Sequence, residues 1–246
     1  MNAFAKLISV EAKLLGRDIA GTFFTVAFPA VLLIALGSFF PGFLDRDPAS
    51  GVRAVDIYLP IVLALGLASA ALATMPTILA TYRQLGVLRR MATTPVGPVR
   101  LLLAQLVVQV AASAIGAVAA VVAAAILFET PLPRNPLGFA IVFLLAAASI
   151  FAVGLVVAAV ARTTSAGQSI GLALYFPTLF FSGVYFPREA MPDALRTISD
   201  LTPLGSGVQA LKDTWLGLAP AAGNLLVMAA FALVSGIVAA RLFRWE

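Results

Sequence analysis

The residues that could do chemistry in this chain are few. It has no histidine and no cysteine among its 246 residues. That excludes Ser–His nucleophilic pairs, imidazole or thiolate metal ligation, disulfides and imidazole proton relays. The phosphate-cradling pattern GxxxxGK[ST] does not occur. No catalytic residue, metal site or bound cofactor is therefore expected. What remains is electrostatic and concentrated in one place. Residues 82–100, YRQLGVLRRMATTPVGPVR, carry Arg83, Arg89, Arg90 and Arg100 and no acid. Leu85, Leu88 and Met91–Ala92 fall on one helical face, with Arg83, Arg89 and Arg90 around them. Thr93-Thr94-Pro95 must end that helix, because a proline disfavours helix at the residue before it. Four arginines would also suit an anchor touching lipid headgroups. The apolar ridge and the hard stop favour docking into a protein groove.

The elements that position this segment follow from composition. The chain is 61% hydrophobic and 11% charged, with mean hydropathy +1.04. Soluble domains devote about a quarter of their residues to charge, so this chain cannot cover a water-facing surface. Charge-free intervals run 19–44, 57–82, 101–128, 135–161, 163–187 and 214–240. Each exceeds the roughly 20 apolar residues a membrane-crossing helix needs. Backbone groups in lipid must be satisfied internally, and the runs do not alternate as barrel strands do. The reading is all-α and integral to the membrane, one permease domain over 1–246. It has an interfacial helix over 1–18 and six spans near 19–41, 57–80, 101–128, 137–161, 167–186 and 217–240. The first interval is too long for a signal peptide and reads as a span.

On the side of both termini and the basic segment lie ten of the sixteen lysines and arginines but three of the eleven acids. The positive-inside rule places that side in the cytoplasm. The net charge of +5 then reflects basic loops facing anionic lipid or a cytoplasmic partner, not nucleic acid.

Within 4–18, Phe4, Leu7, Ile8, Leu14 and Leu15 share one helical face and Lys6, Lys13 and Arg17 the opposite one, as in a helix lying in the membrane interface. Glu11 falls in the apolar face. It either snorkels to water or pairs with an arginine of 82–100, so Glu11 and Arg17 are candidates for an N-terminal polar contact. Pro29, Pro60, Pro76 and Pro177 lie in or at the ends of spans and kink them, and neighbouring helices must re-satisfy the freed backbone. Small residues in spans three and four imply close helix packing. Beyond span five, Met191, Leu195, Ile198 and Leu201 at helical spacing predict a short outer helix, with a second through 206–213. The aromatics Tyr175, Phe180, Phe181 and Tyr185 read either as an interfacial belt or as the lining of an apolar exit path.

No ionisable residue lies deep in a span, which argues against ion-coupled transport, proton pumping and intramembrane proteolysis. The Asn135-Pro136 pair sits at a loop edge and makes no water channel. If the protein moves anything uphill, another subunit supplies the work.

The stretch RQLGVLRRMATTPVGPVRLLLAQL resembles the coupling-helix loop of ABC type-2 exporter permeases, the class that includes the daunorubicin permeases. Gly86, Leu88, Arg90, Met91, Thr94, Pro95 and Val96 match, and Gln84 stands where that family most often has Glu. Residues 17–37 resemble its first span, and 180–213 its F-x-S-G-x-x-F-P … M-P … P-L stretch. The resemblance implies six helices per subunit and two permease subunits, same or different, over two cytoplasmic ATPase subunits. ATP and Mg would bind in those partners and not in this chain. Arg83, Gln84, Gly86, Leu88, Arg89, Arg90, Met91, Thr94 and Pro95 would form the coupling interface. The protein would lie in a bacterial-type inner membrane among lipids and export a hydrophobic small molecule. The alternative is a passive channel or a non-transporting membrane scaffold.

Overall fold

The computed structural model describes residues 3–40, 42–46, 51–94, 97–184, 188 and 191–243. These residues form helices, plus one isolated bridge between Arg46 and Arg53. Helix α1 is Ala3–Arg17, α2 Ile19–Phe39, α3 Ala54–Gln84, α4 Val87–Ala92 and α5 Pro98–Phe128. Then come α6 Pro136–Val160, α7 Thr164–Phe181, α8 Asp193–Asp200, α9 Pro203–Trp215 and α10 Ala222–Leu242. Five of them, α2, α3, α5, α6 and α10, are long and apolar enough to cross a membrane. Helix α7 is 18 residues long but is not among the five. Thr164, Ser165, Gln168 and Ser169 dilute its first turns.

Helix α3 is the centre. In its most apolar stretch 78% of residues are buried, against 11% for α10. It packs against α2, α5, α6, α7 and α9, while α10 lies mainly on α6. The exposed leucines, isoleucines and valines of α2, α5 and α10 make an apolar exterior suited to lipid.

The prolines shape this core by a shared device. Helix α2 carries a π turn at Phe23–Ala27 just before Pro29, and α3 one at Ser69–Thr74 just before Pro76. A proline cannot donate to the carbonyl four residues back, here those of Thr25 and Leu72. Each carbonyl is met by a glycine of a neighbouring helix. A Cβ on Gly116 would stand 2.7 Å from the Thr25 oxygen, and one on Gly171 2.1 Å from that of Leu72. Gly154 approaches the Ala71 oxygen in the same way, at 2.0 Å for an added Cβ. Only a bare Cα fits there, and its C–H groups face the freed oxygens.

Helix α9 differs from a surface helix. Leu204, Val208, Leu211 and Trp215 are buried because it inserts beside α3, α6 and α10. In α8 the expected stripe also shifts. Ile198 and Leu201 are exposed, while Met191 and Ser199 are buried, since the Ser199 hydroxyl donates to the Phe181 carbonyl.

Candidate functional site: the connection from Tyr82 to Gly97

The basic segment is not one helix. Helix α3 stops at Gln84, Leu85 closes it, and Gly86 turns left-handed at φ +69°. A glycine takes that conformation without steric cost. Helix α4 then runs for six residues, and the Thr93 and Thr94 hydroxyls donate back to the Arg90 and Met91 carbonyls, each at 2.8 Å. Gly97, at φ +71°, leads into Pro98 at the start of α5. Pro95 and Val96 lie outside the described residues.

This break separates the expected ridge. Leu88 is 1% exposed and joins the main core, whereas Leu85 is 64% exposed. Met91 is half-buried against that core. The outward surface is therefore Leu85 with Arg89 and Arg90, the last donating to the Leu85 carbonyl at 3.3 Å. Leu88 holds α4 onto the bundle and is not on the surface a partner would touch.

Arg83 and Gln84 point the other way, into the turn between α6 and α7. The Arg83 guanidinium donates to the carbonyls of Ala158 at 3.1 Å, Ala159 at 3.2 Å and Ala161. These close the C-terminus of α6, where a cation is favoured. Its far side lies over the Phe243 ring, 5.0 Å from the centroid. The Gln84 carboxamide oxygen accepts from the Thr164 backbone N–H at 3.1 Å and its hydroxyl at 2.9 Å. It thus caps an N–H in the first turn of α7 that has no partner within the helix. Thr81 adds a hydroxyl contact to Thr164 at 2.9 Å. The ends of α3, α6, α7 and α10 are tied together immediately behind α4.

Glu11 is 3% exposed, facing inward from α1. Its partner is not an arginine: the Tyr82 hydroxyl donates to its carboxylate at 2.9 Å. Arg83, next to Tyr82 in sequence, is committed to the α6 carbonyls, which leaves the phenol of Tyr82 on the α1 side. Burial pushes the Glu11 carboxyl above the usual carboxylate range, and the Tyr82 hydrogen bond offsets part of this. Arg17 is exposed at the end of α1.

Tyr175 borders a groove of about 370 Å³ between α2, α3 and α7. Its hydroxyl lies 2.8 Å from the Ser69 hydroxyl, within the π turn of α3. Phe180 and Phe181 stack edge to face at 5.5 Å and are not part of that groove. Tyr185 lies outside the described residues. Sequence reasoning missed Tyr82 and Thr164. Thr164 had a local signal, since Thr163 beside it accepts from the Ala166 N–H as an N-cap. No cluster of acids able to hold a metal occurs among the described residues.

A family model described as "ABC-2 type transporter" matches residues 3–216, which takes in α1 through α9 and the whole α4 connection. The chain belongs to the ABC-2 type transporter family. It is a multi-pass membrane protein of that family. ABC transporter G family member 20 of Dictyostelium discoideum is 30% identical over 92 residues, 36% of this chain. Those residues are 12% of that relative, so this ABC-2 chain matches only a small part of it.

Proposed function

We propose that the chain is the membrane subunit of an ATP-driven exporter of a hydrophobic molecule. It works as a pair, with a second copy or a paralogue, over two cytoplasmic ATPase subunits that bind the ATP and Mg. In this reading α7 is the sixth span, the α4 side faces the cytoplasm, and α4 receives the force. The observation that carries it is the two-sided construction of the α3–α4 joint. Outward are Leu85, Arg89 and Arg90. Inward, Arg83 and Gln84 grip the ends of α6 and α7.

In this reading a push on α4 reaches α7 through the Gln84–Thr164 hydrogen bonds, and α7 carries Tyr175 on the groove wall. Family membership supports an ATPase partner, since this chain has no phosphate-binding loop of its own. A passive channel or scaffold needs no such joint. The test is a double charge reversal, Arg89→Glu with Arg90→Glu, in tagged protein solubilised from its own membranes. Loss of co-purifying vanadate-sensitive ATPase, with the chain still folded, supports the reading. Undiminished ATPase together with normal efflux refutes it.

A further inference from the structure

A second cavity, of about 270 Å³, adjoins the Tyr175 groove, sharing Asp18, Thr77 and Ile78 with it. It lies between α1, α3 and α5, and Glu11 and Gln105 are in its wall. Gln105 is 2% exposed and makes no hydrogen bond among the described residues. Its amide opens onto this cavity, unlike the sealed and unpartnered amide of Gln109, and is available to a polar group of a guest. Asp18 spends one oxygen on the Gly21 N–H, at 3.0 Å, at the start of α2. The remaining wall is chiefly apolar, with Leu14, Leu15 and Ile78. No lysine or arginine lines either cavity. Lys6, Lys13 and Arg17 are exposed on α1.

The chemistry selects one class of guest. An anion would meet two carboxylates at short range. A purely apolar molecule would leave the Gln105 amide unsatisfied and the carboxylates desolvated. A cation on an apolar body satisfies all three groups and covers the apolar walls.

We propose that the joined cavities bind a cationic amphiphile. Its positive group sits between Glu11 and Asp18, near the Gln105 carbonyl oxygen, and its apolar body runs past Ile78 toward Tyr175. Calling this guest a substrate rests on the export reading; its binding does not.

The test uses purified chain in nanodiscs of zwitterionic phosphatidylcholine, with no ATPase present. Tetraphenylphosphonium and tetraphenylborate are the probes, nearly equal in shape and opposite in charge. Saturable binding of the cation, about tenfold or more tighter than the anion, is the expected result. Glu11→Gln and Asp18→Asn should each weaken it about tenfold, while the new amides still accept from Tyr82 and the Gly21 N–H. Thermal unfolding of each variant checks the fold, and Asp18→Asn decides alone if Glu11→Gln does not fold. Equal saturable binding of both ions above that of protein-free nanodiscs, or unchanged cation binding by the folded variants, overturns the proposal. Failure of the export reading would show separately, as absent ATPase with cation binding intact.

Discussion

The carboxamide of Gln84, at the end of α3, accepts two hydrogen bonds from Thr164, in the first turn of α7. Eighty positions apart in sequence, they make the end of one helix the cap of another. A carboxylate at position 84 would do the same and would also be favoured by the partial positive charge of a helix N-terminus. Replacing Gln84 with Ala should lower stability by about 1 kcal/mol, as for lost helix caps. Glu at 84 should match or exceed the parent. Thermal unfolding of the three proteins in one detergent compares them.

Arg83 gives the larger effect. Its guanidinium serves three carbonyls and stacks on Phe243. Hydrogen bonds to charged groups contribute about 1.5–3 kcal/mol. Arg83→Met keeps much of the apolar stem and should cost at least about 2 kcal/mol. Hydrogen exchange should quicken at residues 158–164 before it does elsewhere.

Glu11 makes stability depend on pH. Burial raises its folded carboxyl above the ordinary value of 4.5, so the folded state holds the proton more tightly than the unfolded one. Its contribution is complete below the ordinary value and is lost as pH rises through the raised one. Glu11→Gln keeps the Tyr82 acceptor without the charge. It should equal the parent near pH 4 and exceed it at pH 8. Parallel melting curves across that range would contradict this.

The glycines facing freed carbonyls are tight. Gly154→Ala and Gly171→Ala should each cost about 1–3 kcal/mol or block folding, as overpacking does. Gly223→Ala, with open space around it, should be neutral. Yield and unfolding temperature rank the three.

Five of the six expected spans coincide with helices long and apolar enough to cross a membrane; they were legible because a helix in lipid admits few charges, and charge-free intervals mark them. Helix α7 is the least apolar of the six intervals, and its Gln168 and Tyr175 line the groove shared with α2 and α3. The α4 element was legible as a basic, proline-stopped segment. Its facing was not. One residue, Gly86 at φ +69°, rotates Leu88 into the core and Leu85 out of it, and a glycine inside a helical pattern signals this only weakly. The partners of Glu11, Arg83 and Gln84 lie 71 or more positions away. No local pattern encodes them, since they depend on which helix ends meet.

The most direct test of the account uses the absence of cysteine from this chain. Single cysteines at Leu85, Arg89 and Arg90, with one at Leu132 on the opposite side, would each react with an amine-directed bifunctional maleimide in native membranes. The account predicts that positions 85, 89 and 90 yield an adduct to an ATP-binding polypeptide, that nucleotide changes its amount, and that position 132 yields none. An α4 surface that joins no ATPase, in membranes where the protein still exports, would contradict it.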